Sequence, residues 1–271
     1  MVIVDNDPEG SASETVAALT EELSMPLFYG VEKTPGIPFA RNKTLDLAAG
    51  IADDVIFLDD DEVPDDGWLE ELLRVRDAYQ ADVVTGAVNP VFAEDPPRWM
   101  VEGGFLQYTR HQTGKDLDRA YTNNTMVPWS LIENSKIRFD ENMAQTGGSD
   151  THFFRRLHQQ GAKIVWANEA VVSELIPTTR SDSKWILQRA FRIGNSSAYI
   201  ERDLFPWTKS IVTMVAGGAY RIVKGLISWP LGWFGGRSVR VHALRQVYYG
   251  LGMISGWLGF RYNEYRTIHG R

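Results

Sequence analysis

Apolar and polar positions fall into two alternating periods along the first hundred residues. Val2-Ile3-Val4 is a β-branched run closed by the turn formers Asp5-Asn6-Asp7-Pro8-Glu9-Gly10, which predicts a strand and a turn. Ser11 or Ser13 then suits the cap of a helix carrying Val16, Leu19 and Leu23, with Glu14 in its first turn. Pro35, Gly36 and Pro38 mark a loop before a second helix with Leu45, Leu47, Ala48 and Ile51. Val55-Ile56-Phe57-Leu58 predicts a buried strand that stops at Asp59-Asp60-Asp61-Glu62. Trp68, Leu69, Leu72, Leu73 and Tyr79 form a helical stripe, and Ala81 to Gly86 reads as another strand. This alternation predicts an α/β protein with a mostly parallel sheet flanked by helices, whose ligands bind at the carboxyl ends of the strands. Both acidic clusters, 5–7 and 59–62, fall at such ends.

The pattern weakens over 90–145, where Pro90, Pro96, Pro97, Trp99 and Trp129 accumulate. A long aromatic insertion of this kind is expected to face substrate. Periodicity returns with a helix from Arg155, short strands at Lys163–Trp166 and Ala170–Val172, and a helix beginning near Ser183. The chain divides at about 205, into a body of 1–205 and a tail of 206–271. In the tail two apolar runs, Ile211–Tyr220 and Gly225–Gly236, are separated by Arg221 and Lys224, and neither alone reaches the ~20 residues of a spanning helix. From Val241, the positions Leu244, Val247 or Tyr248, Leu251, Ile254 and Leu258 follow helical spacing. A basic, Trp-bearing amphipathic segment suits a membrane interface, and packing on the body or on a second subunit is the alternative.

Charge sharpens that division. The formal net charge of −7 over 271 residues combines −16 in residues 1–180 with +9 in residues 181–271. An acidic body excludes a nucleic-acid partner, whereas a basic tail calls for an anionic one, and an inner-membrane surface is the expected choice. The absence of cysteine excludes disulfide and thiol chemistry, and 9 Trp, 10 Tyr and 12 Phe exclude a disordered chain. No basic segment followed by an apolar stretch opens the sequence, so a cytoplasmic location, peripheral at the membrane, is the expectation.

Two clusters carry candidate chemistry. If the strand continues through Asp59-Asp60-Asp61, Asp59 and Asp61 share a side. Crowded carboxylates repel, and a hard cation such as Mg²⁺ or Mn²⁺ offsets the repulsion; a solvated acidic turn is the plainer reading. Gly147-Gly148-Ser149-Asp150 opens a helix, where Asp150 suits either a cap or a ligand-facing carboxylate, and the glycines allow close backbone approach. Asp5 to Gly10 begins like a calcium loop, but Val16 replaces its closing glutamate. His111, His152, His158, His242 and His269 show no zinc spacing.

Taken in order, Val4-Asp5-Asn6-Asp7, Gly36-Ile37-Pro38-Phe39-Ala40-Arg41-Asn42, Phe57-Leu58-Asp59-Asp60-Asp61, Phe139-Asp140-Glu141, Gly147-Gly148-Ser149-Asp150 and Trp185 to Arg192 resemble family 2 glycosyltransferases of the GT-A fold, in their bacterial exopolysaccharide form. The likeness covers about residues 1–200. It implies inverting transfer of a sugar from a nucleotide-sugar, usually UDP-linked, to a lipid-linked or polysaccharide acceptor, assisted by Mg²⁺ or Mn²⁺. By the same resemblance Asp5 and Asn6 match nucleotide contacts, Arg41 and Asn42 the donor side, and Asp59, Asp60 and Asp61 the DxD region, with Asp61 the metal ligand. Asp150 matches the general base, and Gly147 and Gly148 border the acceptor.

The sequence departs from the pattern in three places. Ser149 stands where many relatives carry an acid. Glu174 stands where several carry a histidine metal ligand; as an oxygen donor it is a possible ligand, and as a partner of Arg180 a structural one. Val2-Ile3-Val4 matches the family's second strand, so the first strand and helix are expected to be missing and the apolar edge of Val2–Val4 exposed. The competing reading is accordingly a catalytically impaired GT-A module acting as a membrane or partner-binding scaffold. A sugar nucleotidyltransferase lacks support because its Gly-rich basic loop is absent.

Overall fold

A computed structural model describes residues 1–263, so His269 lies outside the described residues. The elements run β1 (Val2–Asp5), α1 (Ser13–Glu22), β2 (Phe28–Val31), α2 (Ile37–Ala48), β3 (Asp54–Leu58), β4 (Glu62–Pro64), α3 (Trp68–Tyr79), β5 (Val83–Phe92), α4 (Arg98–Glu102), β6 (Asp116–Leu117) and β7 (Asn124–Pro128). They continue through α5 (Trp129–Ser135), α6 (Ser149–Gln159), β8 (Ile164–Ile176), α7 (Ser183–Leu204), α8 (Trp207–Ile211), α9 (Gly217–Ser228) and α10 (Gly232–Trp257).

The α/β class stands, but the strand directions are mixed. The main sheet has the order β3-β7-β5-β8-β4, with β6 also on β8. β3, β5 and β8 run the same way, whereas β7 enters antiparallel between β3 and β5, and β4 and β6 pair antiparallel with β8. The expectation of an irregular insertion therefore fails at Asn124–Pro128, a central strand. Its start is polar, Asn124-Thr125, and both residues are fully buried. Each is satisfied inside: Thr125 Oγ1 donates to Thr85 Oγ1 at 2.8 Å, and Asn124 bonds across the sheet. β1 and β2 form a separate parallel pair, and β1, half-buried throughout, pairs only with β2.

Phe57 explains how the core aligns distant segments. Its ring meets Phe139, Phe153 and Phe154 edge-on at 5.7, 6.5 and 6.4 Å, and Phe139 stacks on Phe153 at 4.2 Å. All four rings are buried, each contributing about 1.5–3 kcal/mol of hydrophobic stabilisation. The cluster fixes the end of β3 against the first turn of α6. Asp59, two residues beyond Phe57, and Asp150, three before Phe153, are brought together by this packing.

In the tail, α8 continues through a π-helical turn at Val212–Ala216 into α9, and a 3₁₀ turn at Trp229–Leu231 leads into α10. The helical run Trp207–Trp257 as a whole is long and apolar enough to cross a membrane, although neither apolar run is so alone. It bends at Gly236 (φ +81°), and α10 folds back along α9 and α7. Glycines allow the close approach. A Cβ on Gly252 would lie 2.1 Å from the Phe191 carbonyl oxygen of α7, and one on Gly225 of α9 2.5 Å from that of Ala243.

Candidate active site

The carboxylates after β3 lie in a turn, not in extended backbone. The strand ends at Leu58, and the Glu62 amide donates back to the Asp59 carbonyl at 3.2 Å. The alternation expected to put Asp59 and Asp61 on one side does not apply. A tight turn brings them close instead, and Asp61 is among the charges acting on Asp59. Burial lifts the Asp59 carboxyl to about pH 6; Arg41, whose guanidinium is 3.6 Å away, pulls it down, while Asp61, Asp150 and Asp60 push it up. Asp150 therefore acts on Asp59 through space, from a distant part of the chain.

Asp61 is also raised, first by burial and then by Glu174, with Arg180 opposing from 3.8 Å. Glu174, on β8, takes the Arg180 Nη1 at 2.6 Å and a short hydrogen bond from the Tyr108 hydroxyl. Its buried carboxylate is thus committed to Arg180 and Tyr108. Burial likewise raises the Tyr108 hydroxyl. Asp60 is exposed at the tip of the turn.

α6 begins at Ser149 with Gly148 as its cap in the left-handed region (φ +88°), so Asp150 is the second helical residue and not the cap. Its Oδ1 accepts the Thr151 amide at 2.7 Å. Gly147 (φ +70°) passes so near Arg192 that a Cβ would sit 2.5 Å from Nη1. Arg192 and Arg189 belong to α7, and burial lowers the Arg189 guanidinium, with Arg192 and Arg180 adding to the effect. This basic wall behind Gly147 and Glu174 is carried by the Gln188-Arg189-Ala190-Phe191-Arg192 segment.

Asp5 and Asn6 sit at the end of β1 and organise its loop. Asp5 accepts the Ala12 and Asp7 amides, each at 2.8 Å, and the Tyr29 hydroxyl at 3.0 Å, and the Ala12 bond leads in holding its carboxyl below the usual range. Asn6 donates to the Glu32 and Thr34 carbonyls and accepts the Gly36 amide, each at 2.8 Å. It thereby ties the β1 loop to the entry of α2, from which Arg41 reaches Asp59. Asn42 follows Arg41 on α2 and faces inward. Its amide group donates to the Phe139 carbonyl and to Glu141, both at 3.0 Å, and its Oδ1 accepts the Phe139 amide at 2.9 Å. It is 8% exposed and clamps α2 to the 139–141 segment.

The structure thus joins Arg41, Asp59, Asp61, Asp150 and Glu174, with Gly147 beside Arg192 and Gly148 beside Ser196. It adds Tyr108, Tyr121 and Asn123. Tyr121 lies in the field of Asp150, and Asn123 donates to Glu62 at 3.2 Å. All three come from the aperiodic segment, where nothing local marks a residue that functions through long-range contacts. Among the described residues no three His, Cys, Asp or Glu side chains converge to hold a metal ion. A cavity of about 650 Å³, lined by Lys43, Arg138, His152, Arg156 and Asp203 among others, contains none of the strand-end carboxylates.

Comparison with known proteins agrees with this layout. The family model described as "Glycosyl transferase family 2" matches residues 1–135. Succinoglycan biosynthesis protein ExoM of Rhizobium meliloti (strain 1021) is 30% identical over 264 residues, 96% of this chain and 83% of ExoM. Among solved structures, S. aureus TarS 1-349 superposes with a TM-score of 0.51 at 15% identity, over 97% of this chain and 83% of that one. GalNAc-T7, solved with UDP, GalNAc and Mn²⁺, gives a TM-score of 0.50 at 10% identity, over 73% and 44%. These two share the GT-A arrangement of sheet and helices. The ordered motifs and the near full-length match to ExoM have one consequence: this chain belongs to glycosyl transferase family 2 and is a glycosyltransferase.

Proposed function

We propose that the enzyme moves a sugar from a nucleotide-sugar, a UDP-sugar by preference, to a hydroxyl of a lipid-linked or polysaccharide acceptor, with inversion at the anomeric carbon. The observation that carries this reading is the packing of Phe57 on Phe153 and Phe154, which sets the end of β3, with Asp59 just beyond it, against α6, with Asp150 at its head, one carboxylate for the donor and another for the acceptor. Asp150 takes the proton of the acceptor hydroxyl as its oxygen attacks the anomeric carbon, and the bond to the nucleoside diphosphate breaks. Arg41 holds Asp59, and the loop organised by Asp5 and Asn6 receives the nucleotide. The relative's name, a succinoglycan biosynthesis protein, supports a glycan product, and the basic, Trp-bearing tail supports work at a membrane face.

The donor set suits Mg²⁺ or Mn²⁺. It consists of oxygen ligands alone, and burial and mutual repulsion disfavour the charged carboxylates. Asp61, with Asp59 beside it, would hold the ion, and the donor phosphates would supply further ligands. When bound, the ion supplies charge neutralisation for the departing diphosphate.

Turnover of UDP-sugars with Mn²⁺ tests the assignment. Asp150→Asn is expected to lower kcat by about 10²–10⁴ without loss of donor binding. Wild-type activity in that variant sinks the base assignment, and metal-dependent donor binding by Asp61→Ala sinks the ligand assignment. The scaffold reading predicts no heat on titration with UDP and Mn²⁺, which calorimetry detects directly.

A further inference from the structure

The hairpin formed by α9 and α10 ends in apolar side chains with nothing over them. Tyr220, Val223, Ile227, Leu231 and Phe234 recur at intervals of three and four along α9, the turn after it and the start of α10, and are 67%, 53%, 70%, 62% and 94% exposed. Trp229 and Trp233 flank them at the bend, with ring centroids 6.4 Å apart. A continuous stripe of this size is costly to leave in water and marks a surface made for a partner.

Charge identifies the partner. Leu204 to Asn263 contain seven Lys and Arg and no Asp or Glu. Lys224, Arg240 and Arg245 are exposed, and among the described residues no salt bridge involves 204–263. Two copies meeting through such a surface would oppose cation to cation, whereas an anionic lipid surface meets apolar stripe and cations together. Backbone packing decides between crossing and lying on that surface. Gly252 and Gly256 press α10 against the Phe191 and Asn195 carbonyls of α7, and Gly218 and Gly225 press α9 against α10. The hairpin is therefore fastened to the catalytic body through α10, and the apolar side chains of its outer face and of the Trp229–Phe234 turn stay exposed.

We infer that the α9–α10 hairpin is a monotopic membrane wedge, inserting Trp229, Leu231, Trp233 and Phe234 among the acyl chains of anionic phospholipids while Lys224, Arg240 and Arg245 contact their phosphates. This rests on the membrane-side reading above and gives it a surface. The wedge is also linked to the site. Arg237 lies over the Trp99 ring at 4.5 Å and His242 bonds the Gly103 carbonyl at 2.8 Å, while a few residues on Tyr108 reaches Glu174. Segment 99–108 therefore runs from beside the bend of the wedge to the candidate active site, a short route for a lipid-borne acceptor.

Flotation of the full chain with vesicles of phosphatidylcholine plus phosphatidylglycerol, against phosphatidylcholine alone, provides the test. The wild type is expected to float with the anionic vesicles and to be released as salt rises. Trp233→Ser with Phe234→Ser, at positions exposed in the fold, is expected to lower partitioning at least about tenfold with unchanged circular dichroism. Lys224→Gln with Arg240→Gln is expected to lower it roughly fivefold per charge at low salt only. No flotation of the wild type overturns the wedge and the membrane-side reading together. Flotation that survives the Trp233/Phe234 change overturns the wedge alone, and so does a change from dimer to monomer in sedimentation with vesicle binding retained, which assigns the stripe to a second copy. None of these outcomes alters the Asp150 test, because soluble acceptor turnover reads that separately.

Discussion

Glu62 and Glu174 stand directly opposite one another across the β4–β8 ladder, both less than a tenth exposed. Like charges so placed repel, and the two are accommodated differently. Glu174 is met by Arg180 and Tyr108, whereas Glu62, with only Asn123 and the Asp59 amide as donors, has its carboxyl pushed up to about 8, by burial first and by Asp59 next. One buried proton thus sits at the edge of the acidic site.

That proton makes stability depend on pH in a defined direction. Glu62 ordinarily titrates at 4.5 and in the fold near 8, so between these values the folded protein binds a proton the unfolded chain has released. Each rise in pH across that window favours unfolding. With a chelator present, Glu62→Gln is expected to raise Tm by several degrees at the upper end of the window and to leave it near wild type at the lower end. Calorimetry at both ends checks this, and an equal Tm difference at the two refutes the buried proton.

Arg180 holds two acids of the site, Glu174 at 2.6 Å and Asp61 at 3.8 Å. Truncation to alanine strands a buried carboxylate, which costs about 3 kcal/mol, discounted to about 2 because the arginine is partly exposed. Adding Glu174→Gln is expected to recover most of that loss. Urea denaturation of the two single variants and the double gives the coupling energy, and simple additivity would refute the pairing.

Gly86 marks where β5 and β8 slip out of register. The strands pair Gly86 with Ala167 and then Ala87 with Val171, and the side chain of Asn124 fills the bulge, donating to the Ala87 and Ala170 carbonyls at 3.0 and 2.9 Å. A Cβ on Gly86 would stand 2.2 Å from the Ala170 oxygen, which is backbone and cannot swing aside. Gly86→Ala is therefore expected to cost more than about 3 kcal/mol or to prevent folding. A stability within about 0.5 kcal/mol of wild type would show that the bulge yields.

The same bulge shows what the sequence makes legible. Val55–Leu58, Trp68–Tyr79 and the acidic stop after Leu58 are readable from local pattern, although the strand expected to be buried throughout buries only Val55 and Phe57 and leaves Leu58 exposed. Lys163–Trp166 and Ala170–Val172 read as two strands, yet they are one, β8, because the intervening residues bulge and still pair on either side. Asn124–Pro128 reads as loop because its polar start is satisfied only by strands far away in the chain. At the site, Asp59, Asp61 and Asp150 carry their motifs with them. Tyr108 has no motif, and the contacts of Asn42 with Phe139 and Glu141 are not legible, since they exist only once the chain is folded.

Gly148 separates the placement of Asp150 from the mere start of a helix. An alanine there must hold a left-handed conformation at φ +88°, which costs about 1–2 kcal/mol, and its Cβ would lie 3.1 Å from the Ser196 Cβ of α7. Gly161, just past the other end of α6, provides the control: φ is +98°, so the backbone penalty is alike, but nothing lies within 4 Å of a Cβ there. Both alanine variants are expected to lose similar stability. Only Gly148→Ala shifts the first turn of α6 and with it Asp150 relative to Asp59, so only it is expected to lower kcat, by about tenfold or more. Equal kcat in the two variants, measured where both are fully folded, would show that the start of α6 does not position the reacting carboxylate.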